Sequence, residues 1–189
     1  MDRTALMGMT VGATIIYFFG AIWLLLGLLA GRASAGWMRV GVLLAGLALG
    51  GLIGSLGWQV SRLSQDSTPA AKIAVRHQVG RSFYRIFGIE MAAVFVAVLV
   101  LQAVRRPAYI LCAIAGIVGL HFLPLASLFG APMYYATGLL GCAIGATGLF
   151  VADPVIRQRV VGLSFGLVLW ATATWIAYQG LAFTATRPR

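Results

Sequence analysis

The chain has 189 residues, of which 61% are hydrophobic and 10% are charged, and its mean hydropathy is +0.95. Soluble domains are about 45–50% apolar and about 25% charged. The composition therefore excludes a disordered protein, a nucleic-acid-binding module and an ordinary cytosolic enzyme, and it indicates a polytopic membrane protein. The formal net charge of +10 does not indicate a nucleic-acid partner, because the basic residues lie between apolar runs, where they anchor a protein at lipid headgroups.

Six apolar runs are long enough for membrane spans, since a helix needs about 20 apolar residues to cross about 30 Å of hydrocarbon. The predicted spans are 8–30, 38–60, 87–104, 108–129, 132–152 and 159–181. The first is expected to be a retained span, because its apolar stretch is longer than that of a cleaved signal peptide. The predicted fold is all-α, a single membrane domain over 1–189 that forms a transmembrane bundle of six helices.

The connection 61–86 differs from the other, short connections because it is long and basic. Ser67-Thr68-Pro69 has the hydroxyl and proline typical of a helix start. A short basic helix is therefore predicted between spans two and three. Its cations are predicted to bind anionic headgroups, with a regulatory or partner-docking surface as the alternative. These cations are Lys72, Arg76, Arg81 and Arg85.

An even number of spans places both termini on one side of the membrane. The basic residues are divided almost equally between the two sides, so the positive-inside rule does not decide the orientation. We favour cytoplasmic termini, because the basic connection suits an anionic inner leaflet. Whether the two halves form an inverted repeat stays open.

Glycines recur at helical spacing in three of the predicted spans. They are Gly46, Gly50 and Gly54, then Gly141 and Gly145, then Gly162 and Gly166. Small residues at this spacing let two helix backbones approach closely, which is typical of packed membrane helices. The pattern does not separate an interface within the chain from the interface of a homo-oligomer.

Glu90 and His121 are the acid and the histidine that fall inside predicted spans. A charged group in hydrocarbon costs several kcal/mol, so such residues are candidates for a functional site. The two lie at equal sequence distances from the centre of the predicted turn between Arg105 and Arg106, which places them at one depth in a helical hairpin. A carboxylate beside an imidazole could relay a proton, bind a cation or orient a polar substrate. The alternative is that Glu90 reaches towards the headgroups and His121 bonds to a neighbouring helix.

Three further residues complete the predicted site. Pro124 cannot donate a main-chain hydrogen bond, so a kink is predicted in span four that frees the carbonyl of Leu120. Tyr135 and Trp175 are predicted to line a cavity above the pair, although interfacial aromatic belts also explain such residues.

No other chemistry is recognised. Cys112 and Cys142 lie within apolar runs, thirty residues apart, and are interpreted as small buried side chains rather than a disulfide or a metal pair. The sequence has no HExxH, P-loop or GxSxG motif. No cofactor or metal is predicted.

The segment Gly119-Leu120-His121-Phe122-Leu123-Pro124, followed by Tyr134-Tyr135, resembles a small family of bacterial six-span membrane proteins. That family has a comparable Gly-x-His-aromatic-Leu-Pro run and no established activity. The resemblance implies a six-span bacterial membrane protein in which His121 and Pro124 belong to a site.

The functional hypothesis that follows is a small transporter or channel for a small polar solute or ion, proton-coupled through Glu90 and His121. The first alternative is a structural, scaffold or sensor membrane protein that transports nothing. A membrane-embedded enzyme acting on a lipid or quinone ranks last, because no set of catalytic residues is found. The predicted partners are the lipid bilayer and its anionic headgroups.

Overall fold

A computed structural model of the protein describes residues 3–30, 40–42, 44–46, 48–55 and 69–185, with side chains for 12–30, 80–182 and the three short ranges. This part of the chain is all-α and contains no strand, as predicted. The helices are α1 (Arg3–Leu29), α2 (within Val40–Ser55), α3 (Pro69–Ala103), α4 (Ile110–Phe129), α5 (Met133–Gly148) and α6 (Pro154–Ala185), with a 3₁₀ turn at Pro107–Tyr109. The six helices correspond to the six predicted runs.

Within the described residues, four stretches are long and apolar enough to cross a membrane. They are Gly12–Leu29, Gly80–Ala103, Pro107–Phe129 and Pro154–Ala182. The described residues of α2 belong to a shorter apolar helix, and α5 has 16 residues. A helix of that length extends about 24 Å, which is less than the thickness of the hydrocarbon layer.

The predicted fifth span ran to residue 152, but α5 ends at Gly148. After that residue the main-chain N–H groups of Leu149 and Phe150 reach back only three residues, to Ala146 and Thr147. The carbonyl of Gly148 accepts from the N–H of Val151, three residues later, and from Nε of Arg157. The apolar residues that follow therefore form a turn and not another helical turn of α5.

α3 joins the predicted basic helix to the predicted third span. It begins at Pro69, where the helix start was predicted, and continues without interruption to Ala103. Its apolar stretch begins at Gly80, earlier than the predicted residue 87. The basic residues thus stand at the start of one long helix. The residues just before it, 56–68, lie outside the described part.

Glycines set the close approach of α1 to α6, which pack antiparallel. A Cβ at Gly27 would lie 2.7 Å from the main-chain nitrogen of Leu163, and a Cβ at Gly162 would lie 2.7 Å from the Cα of Gly27. The edge of Trp23 meets Phe165 in the same interface, with ring centroids 4.8 Å apart. The predicted glycine faces of α5 and α6 therefore serve contacts within the chain.

α4 and α5 also pack antiparallel through glycine. A Cβ at Gly119 would lie 2.6 Å from the main-chain nitrogen of Cys142, and a Cβ at Gly145 would lie 2.7 Å from the carbonyl oxygen of Cys112. A side chain at either position would push the backbones apart. Close van der Waals contact, which supplies much of helix association in lipid, depends on these positions.

The turns before and after α4 share the same backbone conformation and hydrogen-bond pattern. After α3, Arg105 adopts a left-handed φ of 56°, and Arg106 donates to the carbonyl of Leu101. After α4, Gly130 has a φ of 59°, and Ala131 donates to the carbonyl of Ala126. These are Schellman-type helix ends, and in each a proline follows two residues after the left-handed position. They reverse the chain and place α3, α4 and α5 as consecutive antiparallel neighbours.

α3 lies at the edge of the assembly and packs mainly on α4. In the 18-residue apolar window of α3 only 6% of the residues are buried, against 56% in the corresponding window of α6. Its outward side carries large exposed apolar residues such as Ile89 and Phe95. Within residues 80–103 a single residue of α3 is classed as buried, and it is Glu90.

Candidate functional site

Glu90 and His121 meet across the α3–α4 interface. Oε2 of Glu90 lies 3.2 Å from Nδ1 of His121. The two side chains are 8% and 9% exposed, so both are shielded from solvent. Equal depth in one hairpin was expected from their positions relative to the turn, and the contact agrees with that expectation. Helix geometry and the short turn at Arg105 together bring the two groups opposite each other.

The contact is close, but it is not an aligned hydrogen bond. Nδ1 of His121 has no partner of hydrogen-bonding geometry within the described part of the chain. The imidazole also faces the main-chain carbonyl of Ile86, one helical turn before Glu90. A small rotation of either side chain would align Nδ1 with the carboxylate, and the proton that joins them can reside on either group.

The surroundings of the pair are apolar and largely aromatic. Phe122 lies edge-on to the His121 ring, with centroids 6.1 Å apart. Towards the α4–α5 turn, Phe83 stacks on Phe87 and contacts Phe129. Phe129 in turn meets Tyr134 of α5 edge-on. These rings stand between the pair and the end of the helices where α3 begins.

This arrangement can hold and exchange a proton. The two groups are of opposite acid–base type, lie within reach of one shared proton and are removed from bulk water. The described residues contain no group of three or more His, Cys, Asp or Glu side chains that could hold a metal ion. A carboxylate and an imidazole alone fall short of the four ligands of a typical zinc site.

The two predicted cavity residues lie apart from the pair. The hydroxyl of Tyr135 is hydrogen-bonded to Oγ of Ser127 at 2.8 Å, and Trp175 lies beside Tyr178. Their side chains are 45% and 48% exposed. Among the described residues, neither forms a hydrogen bond or ring contact with Glu90 or His121. Their membership of the site stays a prediction, and so does the alternative of an interfacial aromatic belt.

Pro124 lies inside α4, which continues through it to Phe129. It is therefore placed one turn from His121, as expected, on the exposed side of the helix. Of the predicted headgroup ligands, Arg81 and Arg85 are exposed at the start of the apolar stretch of α3. The side chains of Lys72 and Arg76 lie outside the described residues.

The sequence reasoning missed a buried cation at the opposite end of the assembly. Arg157 of α6 is 3% exposed. Its Nε donates to the carbonyls of Gly148 and Val151, and its guanidinium lies over the ring of Tyr109. Arg157 thus satisfies the free carbonyls at the end of α5 and ties α6 to the start of α4. Nothing in the sequence separates it from Arg159, which donates to the carbonyl of Ala30 at the end of α1.

A second missed feature is a buried hydroxyl pair between α5 and α6. Oγ1 of Thr137 lies 2.7 Å from Oγ1 of Thr172. Each hydroxyl also lies within hydrogen-bonding distance of the carbonyl four residues earlier in its own helix, so one hydroxyl donates to the other and the second donates to its own helix. Both side chains are buried. The pair aligns α5 against α6, and single threonines in apolar runs gave no signal for it.

Comparisons of this chain with models of protein families, with curated proteins and with solved structures found no match.

Proposed function

We propose that the chain is an integral protein of a bacterial inner membrane, with its six helices in one bundle and both termini in the cytoplasm. Four stretches long and apolar enough to cross a membrane support the membrane location. Arg81 and Arg85, exposed where the apolar stretch of α3 begins, support a basic start of α3 at the anionic inner leaflet. The bacterial assignment rests on the family resemblance of the His121 segment.

Within that bundle, we propose a small transporter or channel for a small polar solute or ion, with proton coupling through Glu90 and His121. The observation that supports this function is the 3.2 Å contact between the carboxylate and the imidazole, both shielded, on two helices of membrane-spanning length. Proton relays in membrane transporters are built from such Asp, Glu and His side chains.

The energetic cost of the pair supports a role beyond packing. Two ionisable groups lose their hydration at this interface, and apolar residues of similar volume would pack there at no such cost. Every other described position of α3 that faces α4 is apolar or small. A purely structural interface has no need of the one carboxylate in this helix.

The test is proton flux into liposomes that contain the purified protein and a pH-sensitive dye. A potassium gradient with valinomycin sets a membrane potential that drives protons inward. We expect dye acidification with the native protein, and rates at the level of empty liposomes for Glu90→Gln and for His121→Gln. Both substitutions keep approximate volume and hydrogen-bonding groups while removing the titrating group.

The control is Asp153→Asn, which removes an exposed carboxylate. Oδ1 of Asp153 accepts from the N–H groups of Val155 and Ile156, and an asparagine retains this cap. We expect native flux from this variant. Native flux from Glu90→Gln and His121→Gln would instead remove the pair from any transport mechanism.

One observation favours a second candidate, a pH sensor that transports nothing. The pair joins an edge helix to the rest of the assembly, and a sensor needs one movable element biased by a titratable contact. Absence of flux with the native protein, together with an acid-induced change of structure, would favour the sensor over the transporter.

A further inference from the structure

We infer that the Glu90–His121 contact is a proton-controlled latch that holds α3 against α4, closed when the pair carries one proton and released when it carries two. The inference concerns movement of α3 and holds for either candidate function. If transport is the function, the latch deepens it by naming the element that moves.

The position of α3 allows it to move relative to the other helices. It packs mainly on α4, and its exposed apolar side gives it little attachment elsewhere in the described chain. Glu90 is its single buried residue between 80 and 103. The residue of α3 that is most protected from solvent is therefore also one whose charge can change.

The charge of the pair depends on the number of protons that it holds. With one proton between them, the pair is either a neutral acid and neutral base or an anion and a cation, and neither form leaves an uncompensated charge. A second proton produces a neutral carboxylic acid beside a lone imidazolium. An unpaired cation in an apolar interface is costly, so the doubly protonated pair favours water entry and separation of the helices.

Among the described residues, no other charge near the pair can compensate an imidazolium at His121. Around this interface, the ionisable side chains of the described residues are Arg81, Tyr84 and Arg85 on α3, Arg105, Arg106 and Tyr109 between α3 and α4, Cys112 on α4, and Tyr134 and Cys142 on α5. The arginines are exposed and carry the same sign as imidazolium. The buried cation Arg157 lies at the other end of the assembly. Within the part of the chain that the structure describes, Glu90 is thus the one carboxylate that can balance His121.

The turn at Arg105 can serve as the hinge about which α3 moves. The Schellman-type turn at Arg105 ties the C-terminal end of α3 to α4, whereas the pair lies 13 residues before Ala103, about 20 Å from the turn. Release of the pair therefore allows α3 to swing away at its basic end while the turn keeps the two helices joined. The stacked rings of Phe83 and Phe87 would separate from Phe129 in the same movement.

The test is a distance measurement between spin labels at two exposed positions at similar depth, Ile89→Cys on α3 and Leu139→Cys on α5. The background carries Cys112→Ala and Cys142→Ala, because these are the free cysteines of the described chain. Double electron–electron resonance is recorded in lipid nanodiscs at about pH 8 and about pH 5, which bracket ordinary histidine titration. We expect one distance at the higher pH and an added population at least about 2 Å longer at the lower pH.

The matched variants remove the titrating groups and keep the packing. Glu90→Gln with His121→Gln retains polar contact, and Glu90→Leu with His121→Leu replaces it by apolar contact. Both should give the short distance alone at both pH values. The latch is overturned if the native distance does not change with pH, or if the same change persists in both double variants. Liposome flux of the same proteins is scored separately, so loss of transport with an intact distance change overturns the transporter and not the latch.

Discussion

Arg157 donates from Nε to the carbonyl of Gly148 at 3.1 Å, and this bond marks the point at which α5 ends. The same guanidinium carbon lies 3.9 Å from the centre of the Tyr109 ring. One side chain of α6 therefore closes the end of α5 and contacts the start of the α4 stretch.

Arg157→Met is expected to destabilise the protein, because the methionine packs like the arginine stem but removes the side-chain donors to the carbonyls of Gly148 and Val151, and leaves Gly148 only the long bond from the N–H of Val151. The expected loss is about 2–3 kcal/mol in the free energy of unfolding. Unfolding in mixed micelles, followed by circular dichroism, measures it. The control is Arg106→Met, at an exposed position, which should change stability by less than about 0.5 kcal/mol. Equal effects of the two substitutions would contradict the assigned role of Arg157.

Gly119→Ala tests the close approach of α4 to α5. The new Cβ would lie 2.6 Å from the main-chain nitrogen of Cys142, so the helices must separate, at a cost of about 1–3 kcal/mol. Gly116→Ala is the matched control on the same helix, because a Cβ there meets nothing within 4 Å. Alanine is the better helix former, so this control should be neutral or stabilising. Thermal unfolding in detergent compares the two; a stable Gly119→Ala would mean that the interface is looser than described.

Arg105→Gly is expected to stabilise the turn between α3 and α4. Arg105 has a φ of 56°, which costs a residue with a side chain about 1 kcal/mol and costs glycine nothing. Part of that gain is offset by the greater freedom of glycine in the unfolded chain. Arg106→Gly, next in the chain, has no positive φ to relieve and should destabilise slightly. A rise in melting temperature for Arg106→Gly and a fall for Arg105→Gly would reverse the prediction.

A double-mutant cycle on the pair separates its stability from its function. Glu90→Leu alone leaves His121 buried without its carboxylate, and His121→Leu alone leaves a buried carboxylate, so each is expected to lose about 3–5 kcal/mol. The double variant should recover most of that loss, since apolar residues of similar volume often replace a buried pair without cost. Additive losses across the cycle would show that the two residues do not interact.

The predicted site was only partly accessible to sequence reasoning. Glu90 and His121 could be paired because helical rise is constant and their turn is short, so depth follows from counting. Tyr135 and Trp175 could not be assigned in the same way, because depth does not determine which side of a helix faces a neighbour. In the structure, the hydroxyl of Tyr135 is hydrogen-bonded to Ser127, and the side chain of Trp175 is half exposed. The burial of Arg157 could not be predicted, because a basic residue near a helix start is ordinarily a headgroup anchor.

The helix boundaries divide in the same manner. Local chemistry sufficed for the start of α3 at Pro69 and for the turns before Pro107 and Pro132, since proline and a left-handed residue act within a few positions. The end of α5 depended on Arg157, a partner from another helix, and therefore fell earlier than the apolar run predicted.

Composition and periodicity alone determined that this chain is helical and apolar enough for a membrane, because both properties follow from residue type and its spacing along one helix. Only the tertiary structure decided that the glycine faces of α5 and α6 join helices of the same chain, that α3 stands at the edge, and that its one buried residue is an acid facing a histidine. Those outcomes depend on the rotation of each helix about its axis. That rotation is selected by contacts with the neighbouring helices, and a one-dimensional pattern does not contain it.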